Sequence, residues 1–441
     1  MQQKQNKMGV MPIPRLLLSM AIPLMLSLLV QSLYNIVDSI YVSRISEKAL
    51  TATSLAYPVQ ILMIALGVGT AVGINALLSR LLGQKKHDAV SQGATTGLIL
   101  SVISSCLFIL VGLLFADTIA HAMTGDEETA QQCATYLRGV TVFCTGSFVE
   151  TMVQRFLQAS GKTGLSMISL IVGAVTNIIL DPIFIFSLNM GIYGAAVATV
   201  IGQWLGAVTA ILLNRFLNPE VTLHFRGFKW EWDTVRAIYK VGLPTILMQS
   251  MGSVMNFGMN AILGIGTAVA FFGAYFKLQN FLFMPMNGLG QACLPIIGFN
   301  YGAKNFSRIR ETERTAVLWG ICIGLLGTAL FMLLPRQLLS LFNASEDMLQ
   351  IGVPAVRIIC VTYALTAMTT ILGLCASGLG NGMINMIGTG LRQVVILLPC
   401  FALLKATLGL EQSWFAMWIA EICAVVFAVW SFRREIRKKG I

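Results

Sequence analysis

Apolar runs long enough to cross a bilayer recur along almost the whole chain, beginning near residues 15, 50, 92, 135, 164, 191, 237, 268, 315, 350, 383 and 413. A helical span needs about 20 mostly apolar residues, and in hydrocarbon every backbone polar group must be satisfied within the protein. Twelve such runs predict an all-α polytopic membrane protein. Composition agrees: of 441 residues, 56% are hydrophobic and 11% charged, against about 25% charged in a soluble domain. The opening run could pass for a signal peptide because Lys4 and Lys7 precede it. It is too long, lacks a small-residue cleavage site and continues to Asp38, so it reads as a retained first helix.

The positive charge sorts to alternate ends of the spans. With the N-terminus cytoplasmic, inside segments carry Lys4, Lys7 and Arg15, then Arg80, Lys85 and Lys86, then Lys162. Arg215, Arg226, Lys229, Arg236 and Lys240 follow, then Lys304, Arg308, Arg310 and Arg314, and a tail from Arg433 to Lys439. Outside loops receive only Arg44, Lys48, Arg138, Arg336 and Lys405. This bias predicts a plasma-membrane protein with both termini cytoplasmic. The net charge of +11 is therefore a topology signal, and with no soluble domain to gather it, nucleic acid is not an expected partner. Nine scattered cysteines without a CxxC pair read as small buried hydrophobes, and His87, His121 and His224 lie too far apart to form a metal cluster.

The chain repeats itself. Ala21-Ile22-Pro23 aligns with Gly242-Leu243-Pro244, and Leu82-Gly83-Gln84-Lys85 with Tyr301-Gly302-Ala303-Lys304. The loop from Thr124 to Glu128 aligns with Asn343 to Asp347, Arg138 falls on Arg357 at matching helix starts, Ala159-Ser160-Gly161 falls on Ala376-Ser377-Gly378, and Pro182 on Pro399. Six spans recurring in the same order predict two pseudo-symmetric six-helix lobes. We expect an N-lobe over 1–213, a cytoplasmic linker over 214–236 and a C-lobe over 237–441. Such parallel repeats are a transporter architecture, with sites near the midplane and alternating access by rocking.

Ionisable residues inside spans cost roughly 2.5 to 3.5 kcal/mol on insertion scales, so they usually mark sites. Asp38 and Asp181 are two such residues, and the alignment places Met259 and Leu398 at their mirror positions. In the first span Ser27, Gln31, Asn35 and Asp38 share one helical face with Tyr34 beside it, and Pro23 is expected to kink the helix. In the fifth span Asn177 and Asp181 lie four apart, followed by Pro182, and Thr199 stands in a small-residue sixth span. Two carboxylates, an amide oxygen and a hydroxyl suit a proton relay or Na⁺, the one metal ion this chain is expected to hold. Glu150 either faces the cavity or pairs with Arg155. Glu421, the counterpart of Gln203, is expected to have a structural partner such as Lys277 of the eighth span. Gln31, Tyr34, Asn35, Glu150, Gln249, Asn256 and Lys277 are the candidate cavity residues.

The Asp38 helix with its upstream proline, the Asn177/Asp181 spacing, Thr199 and the RLLGQKK and QASGKTG loops resemble the MATE (multidrug and toxic compound extrusion) family over essentially the whole chain. The resemblance implies twelve helices in two lobes and export of organic, often cationic, compounds driven by H⁺ or Na⁺. One branch of that family carries coupling acids in its second lobe, in the spans matching the seventh and tenth here. This chain has Gln249, Ser253, Asn256 and Asn260 in the seventh and no acid in the tenth, so it resembles the branch coupled through the first lobe.

A flippase for a lipid-linked oligosaccharide shares this architecture and would need basic residues for a pyrophosphate, a role open to Arg155, Lys277 and Arg392. An enzyme is not expected, since no HExxH, GxSxG or clustered His occurs. The 22 Met and 24 Phe suit a cavity that re-packs around varied lipophilic molecules. Beyond the bilayer and small-molecule substrates, no cofactor is expected and the chain is expected to be a monomer. Carboxylate, amide and hydroxyl serve H⁺ and Na⁺ alike.

Overall fold

The computed structural model describes residues 6–264, 266–342 and 344–441, so Lys4 of the charge pattern and Asn343 of the repeat alignment lie outside the described residues. Among the described residues every regular element is helical. Nine helices among the described residues are long and apolar enough to cross a membrane, and a pair bent by 50°, Glu346–Cys360 with Tyr363–Gly378, makes a tenth. Two more expected spans complete the set. One is broken at Phe143 and Cys144 into Glu127–Val142 and Thr145–Ala159; the other, Trp232–Leu263, is diluted by polar residues such as Gln249, Ser253 and Asn256.

In chain order, spans 1 to 6 are Ile13–Ser43, Glu47–Gly83, His87–Met123, the broken Glu127–Ala159 pair, Thr163–Ser187 and Gly191–Leu217. Spans 7 to 12 are Trp232–Leu263, Thr267–Gly302, Phe306–Leu333, the bent pair, Gly382–Leu408 and Leu410–Lys438. Helix extends to Leu217 and resumes at Trp232, so the non-helical connection is shorter than 214–236.

The chain forms two compact units that do not follow chain order strictly. Unit 1 is Met1–Lys7 with Leu26–Ile246, and unit 2 is Met8–Met25 with Leu247–Ile441. Both changes of unit fall inside continuous helices, two or three residues beyond Pro23 and Pro244. A proline removes one ladder hydrogen bond, so these are the places where each helix is easiest to bend.

Backbone geometry confirms the duplication and refines its register. Lys85 and Lys304 both adopt left-handed φ, 59° and 56°, in turns that end spans 2 and 8. Gly161 and Gly380 do the same at φ 82° and 84°, each amide donating at 2.9 Å to the carbonyl three residues back, Gln158 and Ser377. Asp126 and Ser345 both cap their helices, accepting from the amides of Thr129 and Met348. All three pairs share one offset, so Gly161 matches Gly380 and not Gly378. At that offset Asp181 falls on Cys400 and not on Leu398. The contrast between copies survives, because residues 382–408 contain no acid. Span 10 begins one turn earlier than expected, with Glu346 and Asp347 in its first turn, both exposed. Arg138 and Arg357 lie toward the ends of their helices, not the starts, and Arg138 pairs with Asp117 at 2.5 Å.

The two cores are built differently. Unit 1 packs Ala49, Ala52, Ala56, Ala130, Ala134 and Ala196 in one buried cluster, which lets helix backbones approach closely. Unit 2 centres on aromatics: Trp414 meets Phe401 and Phe271 edge-on at 5.0 and 5.3 Å, and Tyr363 meets Phe331 at 5.4 Å, geometries favoured by the ring quadrupole.

Candidate functional site

Span 5 carries Asn177 and Asp181 one turn apart, 2% and 0% exposed. The Asn177 amide nitrogen donates to Asp181 Oδ1 at 3.2 Å and to Thr199 Oγ1 of span 6 at 3.3 Å. Span 1 brings the Asp38 carboxyl into electrostatic reach of Asp181. All four residues of the expected ion site are therefore assembled within unit 1.

Each of these contacts turns acceptor oxygens inward. Asp38 Oδ1, Asn177 Oδ1 and Asp181 Oδ2 are buried without a hydrogen-bond partner among the described residues. Unmet acceptors at one buried place are costly. Their donor set is hard oxygen without nitrogen or sulfur, which fits a proton or an alkali cation. Tyr34 and Tyr136 lie within electrostatic reach of both carboxylates, and Gln60 donates to the Tyr136 hydroxyl at 3.4 Å.

Beside this set opens a cleft of about 190 Å³ lined by Gln31, Tyr34, Asn35, Glu150, Asn177 and Thr199 among others. Glu150 is the one charged residue in its lining. Its Oε1 accepts from Gln154 at 3.0 Å, and Gln154 also donates to Ser169 at 3.2 Å. Glu150 is thus held facing the cleft, while Arg155 donates to Gln158 at 2.8 Å. Glycines make the room: a Cβ on Gly206 would stand 2.4 Å from Glu150 Oε1, and one on Gly202 would stand 2.7 Å from the Gly173 carbonyl oxygen.

Three expected cavity residues lie elsewhere. Gln249 is exposed in unit 2, Asn256 donates to Gly252 of its own helix at 3.1 Å, and Lys277 is exposed with Nζ 6.0 Å from the Phe342 ring. None lines the cleft. Glu421 is partnered by Arg392 and Thr366, not by Lys277. Sequence reasoning did not single out Gln60, Tyr136 or Gln154; Gln60 and Tyr136 are lone polar residues, whereas the four-residue steps from Glu150 to Gln154 and Gln158 could have found Gln154.

A family model described as MatE matches residues 23–183 and again 242–402, an offset of 219 between copies. "Multidrug export protein MepA" of Staphylococcus haemolyticus (strain JCSC1435) is 26% identical over 439 residues, covering 94% of this chain and 93% of that protein. The solved "MATE in complex with MaL6" is 26% identical with a TM-score of 0.91 over 99% of this chain and 100% of that one. A Pyrococcus furiosus transporter of the MOP superfamily, described as having a binding pocket of reverse polarity that suggests a different function, matches equally: 26% identity, TM-score 0.91, and 100% of both chains. With the family model matched twice, over spans 1 to 5 and again over spans 7 to 11, and that fold reproduced over its full length, this multi-pass membrane protein belongs to the MatE family.

Proposed function

We propose that the protein exports lipophilic organic cations, exchanging each for H⁺ or Na⁺ by alternating access. The observation that carries this reading is the unit 1 cleft, whose single charged lining residue is the acid Glu150, opening beside the partnerless oxygens of Asp38, Asn177 and Asp181. An acid in a cavity of low dielectric attracts a cation strongly, and Met63 and Phe148 in the lining offer apolar surface to a lipophilic body. The multidrug-export designation of the Staphylococcus relative agrees with it.

The residues have distinct roles in this reading. Asn177 fixes Asp181 and Thr199 through its amide protons, which leaves the carbonyl oxygen of Asn177 and one oxygen of each aspartate for the driving ion. That ion relieves the repulsion between Asp38 and Asp181, so the part of span 1 beyond Pro23 bends toward span 5. The bend alters the Gln31, Tyr34 and Asn35 side of the cleft, and the organic cation leaves. In this reading the chain works as a monomer in the plasma membrane, with both termini and the connection between units on the cytoplasmic side.

The flippase reading needs basic groups for a pyrophosphate. No Lys or Arg lines the cleft, and Arg392 is held by Glu421, so the cation reading is preferred. Transport of a fluorescent lipophilic cation in proteoliposomes, with pH and Na⁺ gradients imposed separately, tests it. Uptake driven by one gradient and lost in Glu150→Gln is expected; gradient-independent behaviour of the wild type would overturn antiport.

A further inference from the structure

At the offset of 219 that relates the two family matches, three residues lining the unit 1 cleft, Ser147, Gly173 and Gly202, fall on Thr366, Arg392 and Glu421. An offset of 218 would place Gln203, another lining residue, on Glu421. In unit 1 Gly173 and Gly202 approach backbone to backbone, and a Cβ on Gly173 would stand 3.6 Å from Glu150 Oε1. The absence of side chains there leaves the acid open to the cleft.

In unit 2 the same places hold a closed polar cluster. Arg392 Nη1 lies 3.6 Å from Glu421 Oε1, and Thr366 Oγ1 donates to that oxygen at 2.7 Å. The two charged side chains are 15% and 9% exposed. Arg392 Nε and Glu421 Oε2 have no hydrogen-bond partner among the described residues. Arg392 belongs to a single π-helical turn, Leu391–Val395, a feature frequent at functional sites.

Stability alone accounts poorly for this cluster, since apolar residues of similar volume are often as good as a buried ion pair or better. Each unit thus sets one acid against the same position of its fifth span: cleft-facing Glu150 beside Gly173 in the first, buried Glu421 beside Arg392 in the second. The second acid has a guanidinium where the first has open space. Acid, hydroxyl and enclosed flat cation together make a recognition site whose ligand is part of the chain.

We propose that Arg392 is a built-in occupant: its guanidinium fills the unit 2 counterpart of the cleft, confines small flat organic cations to unit 1, and sets the number of such cations one chain binds. The inference rests on the reading of the unit 1 cleft as a site for organic cations. Removing the Arg392 side chain should open a second site at Glu421 for an amidinium or guanidinium ligand.

Calorimetric titration of the detergent-solubilised full chain with benzamidinium tests it. The wild type should bind one equivalent that Glu150→Gln removes, Arg392→Ala should bind two, and the double variant Arg392→Ala/Glu421→Gln should return to one. A folded, monodisperse Arg392→Ala that binds the same single equivalent as the wild type overturns the proposal. If the wild type binds none and Arg392→Ala binds one, the cation reading of the unit 1 cleft fails while the role of Arg392 stands; none in either overturns both. Should Arg392→Ala not fold, Gly173→Arg runs the comparison in the opposite direction. Its guanidinium should pair with Glu150 and remove the wild-type equivalent, and a folded Gly173→Arg that binds with unchanged affinity overturns the proposal.

Discussion

Unit 1 and unit 2 are two copies of one six-span design, and they handle buried charge in opposite ways. Unit 1 keeps Asp38, Asp181 and Glu150 in or beside a cleft with no Lys or Arg in its lining, and leaves acceptor oxygens unmet. The most buried acid of unit 2 among the described residues, Glu421, takes its counter-ion from the neighbouring span. The difference shows how duplicated folds specialise: the scaffold, its turns and its caps are kept, and the charge balance of a few inward positions is changed. A unit that leaves its acids unpaired carries a standing cost that a ligand can relieve, whereas a self-neutralised unit has less to gain from one.

That contrast can be broken in several places. The largest effect is expected at the proposed ion site of unit 1: Asp38→Asn or Asp181→Asn should reduce gradient-driven export of a fluorescent cation to background, while Met259→Leu in unit 2 leaves it intact. Export surviving in both aspartate variants, or lost in Met259→Leu, would remove the functional asymmetry. Next comes stability. Glu421→Gln leaves Arg392 buried without its counter-ion and should cost about 3 to 5 kcal/mol, read as a drop in thermal midpoint in detergent. Glu150→Gln, where no ion pair is broken, should cost little or stabilise.

A smaller loss is expected for Gly202→Ala. Its Cβ would meet the Gly173 carbonyl oxygen at 2.7 Å, and forcing spans 5 and 6 apart should cost about 1 to 3 kcal/mol and weaken cation binding, since Asn177 shares that contact. The smallest effects are at the two matched caps. The Asp126 carboxyl is held below its ordinary value by its bonds to Thr129, so its contribution is present above the pKa of the unfolded carboxylate and fades as pH falls through the lowered folded value. Ser345 cannot titrate. Amide exchange at Thr129 should therefore quicken in acid beyond the intrinsic pH dependence, and exchange at Met348 should not.

Much of this was legible from residue spacing. The period of polar residues on span 1 exposed the stripe ending at Asp38, and the four-residue step from Asn177 to Asp181 named half of the proposed ion site, because helical geometry alone dictates which residues share a face. Glu150 was found but the glycines that frame it were not, since they come from two other helices. Gln249, Asn256 and Lys277 do not line that cleft: polarity within a span says that a residue avoids lipid, not which neighbour receives it. The two-residue slip in span 11 arose because Ala-Ser-Gly recurs locally. Only the left-handed φ of Gly161 and Gly380 shows which glycine turns the chain.

The turns at Lys85 and Lys304 carry one more consequence. Both lysines are exposed and hold a left-handed backbone that glycine would adopt with less strain, a difference of roughly 1 kcal/mol. Neither forms an ion pair among the described residues, so the folded state gives little return for the strain. On the proposed orientation, a positive charge at each turn would bias which side the hairpin stays on as it is threaded into the bilayer. A fold of two copies would then store in two strained residues an instruction that is read once, during synthesis.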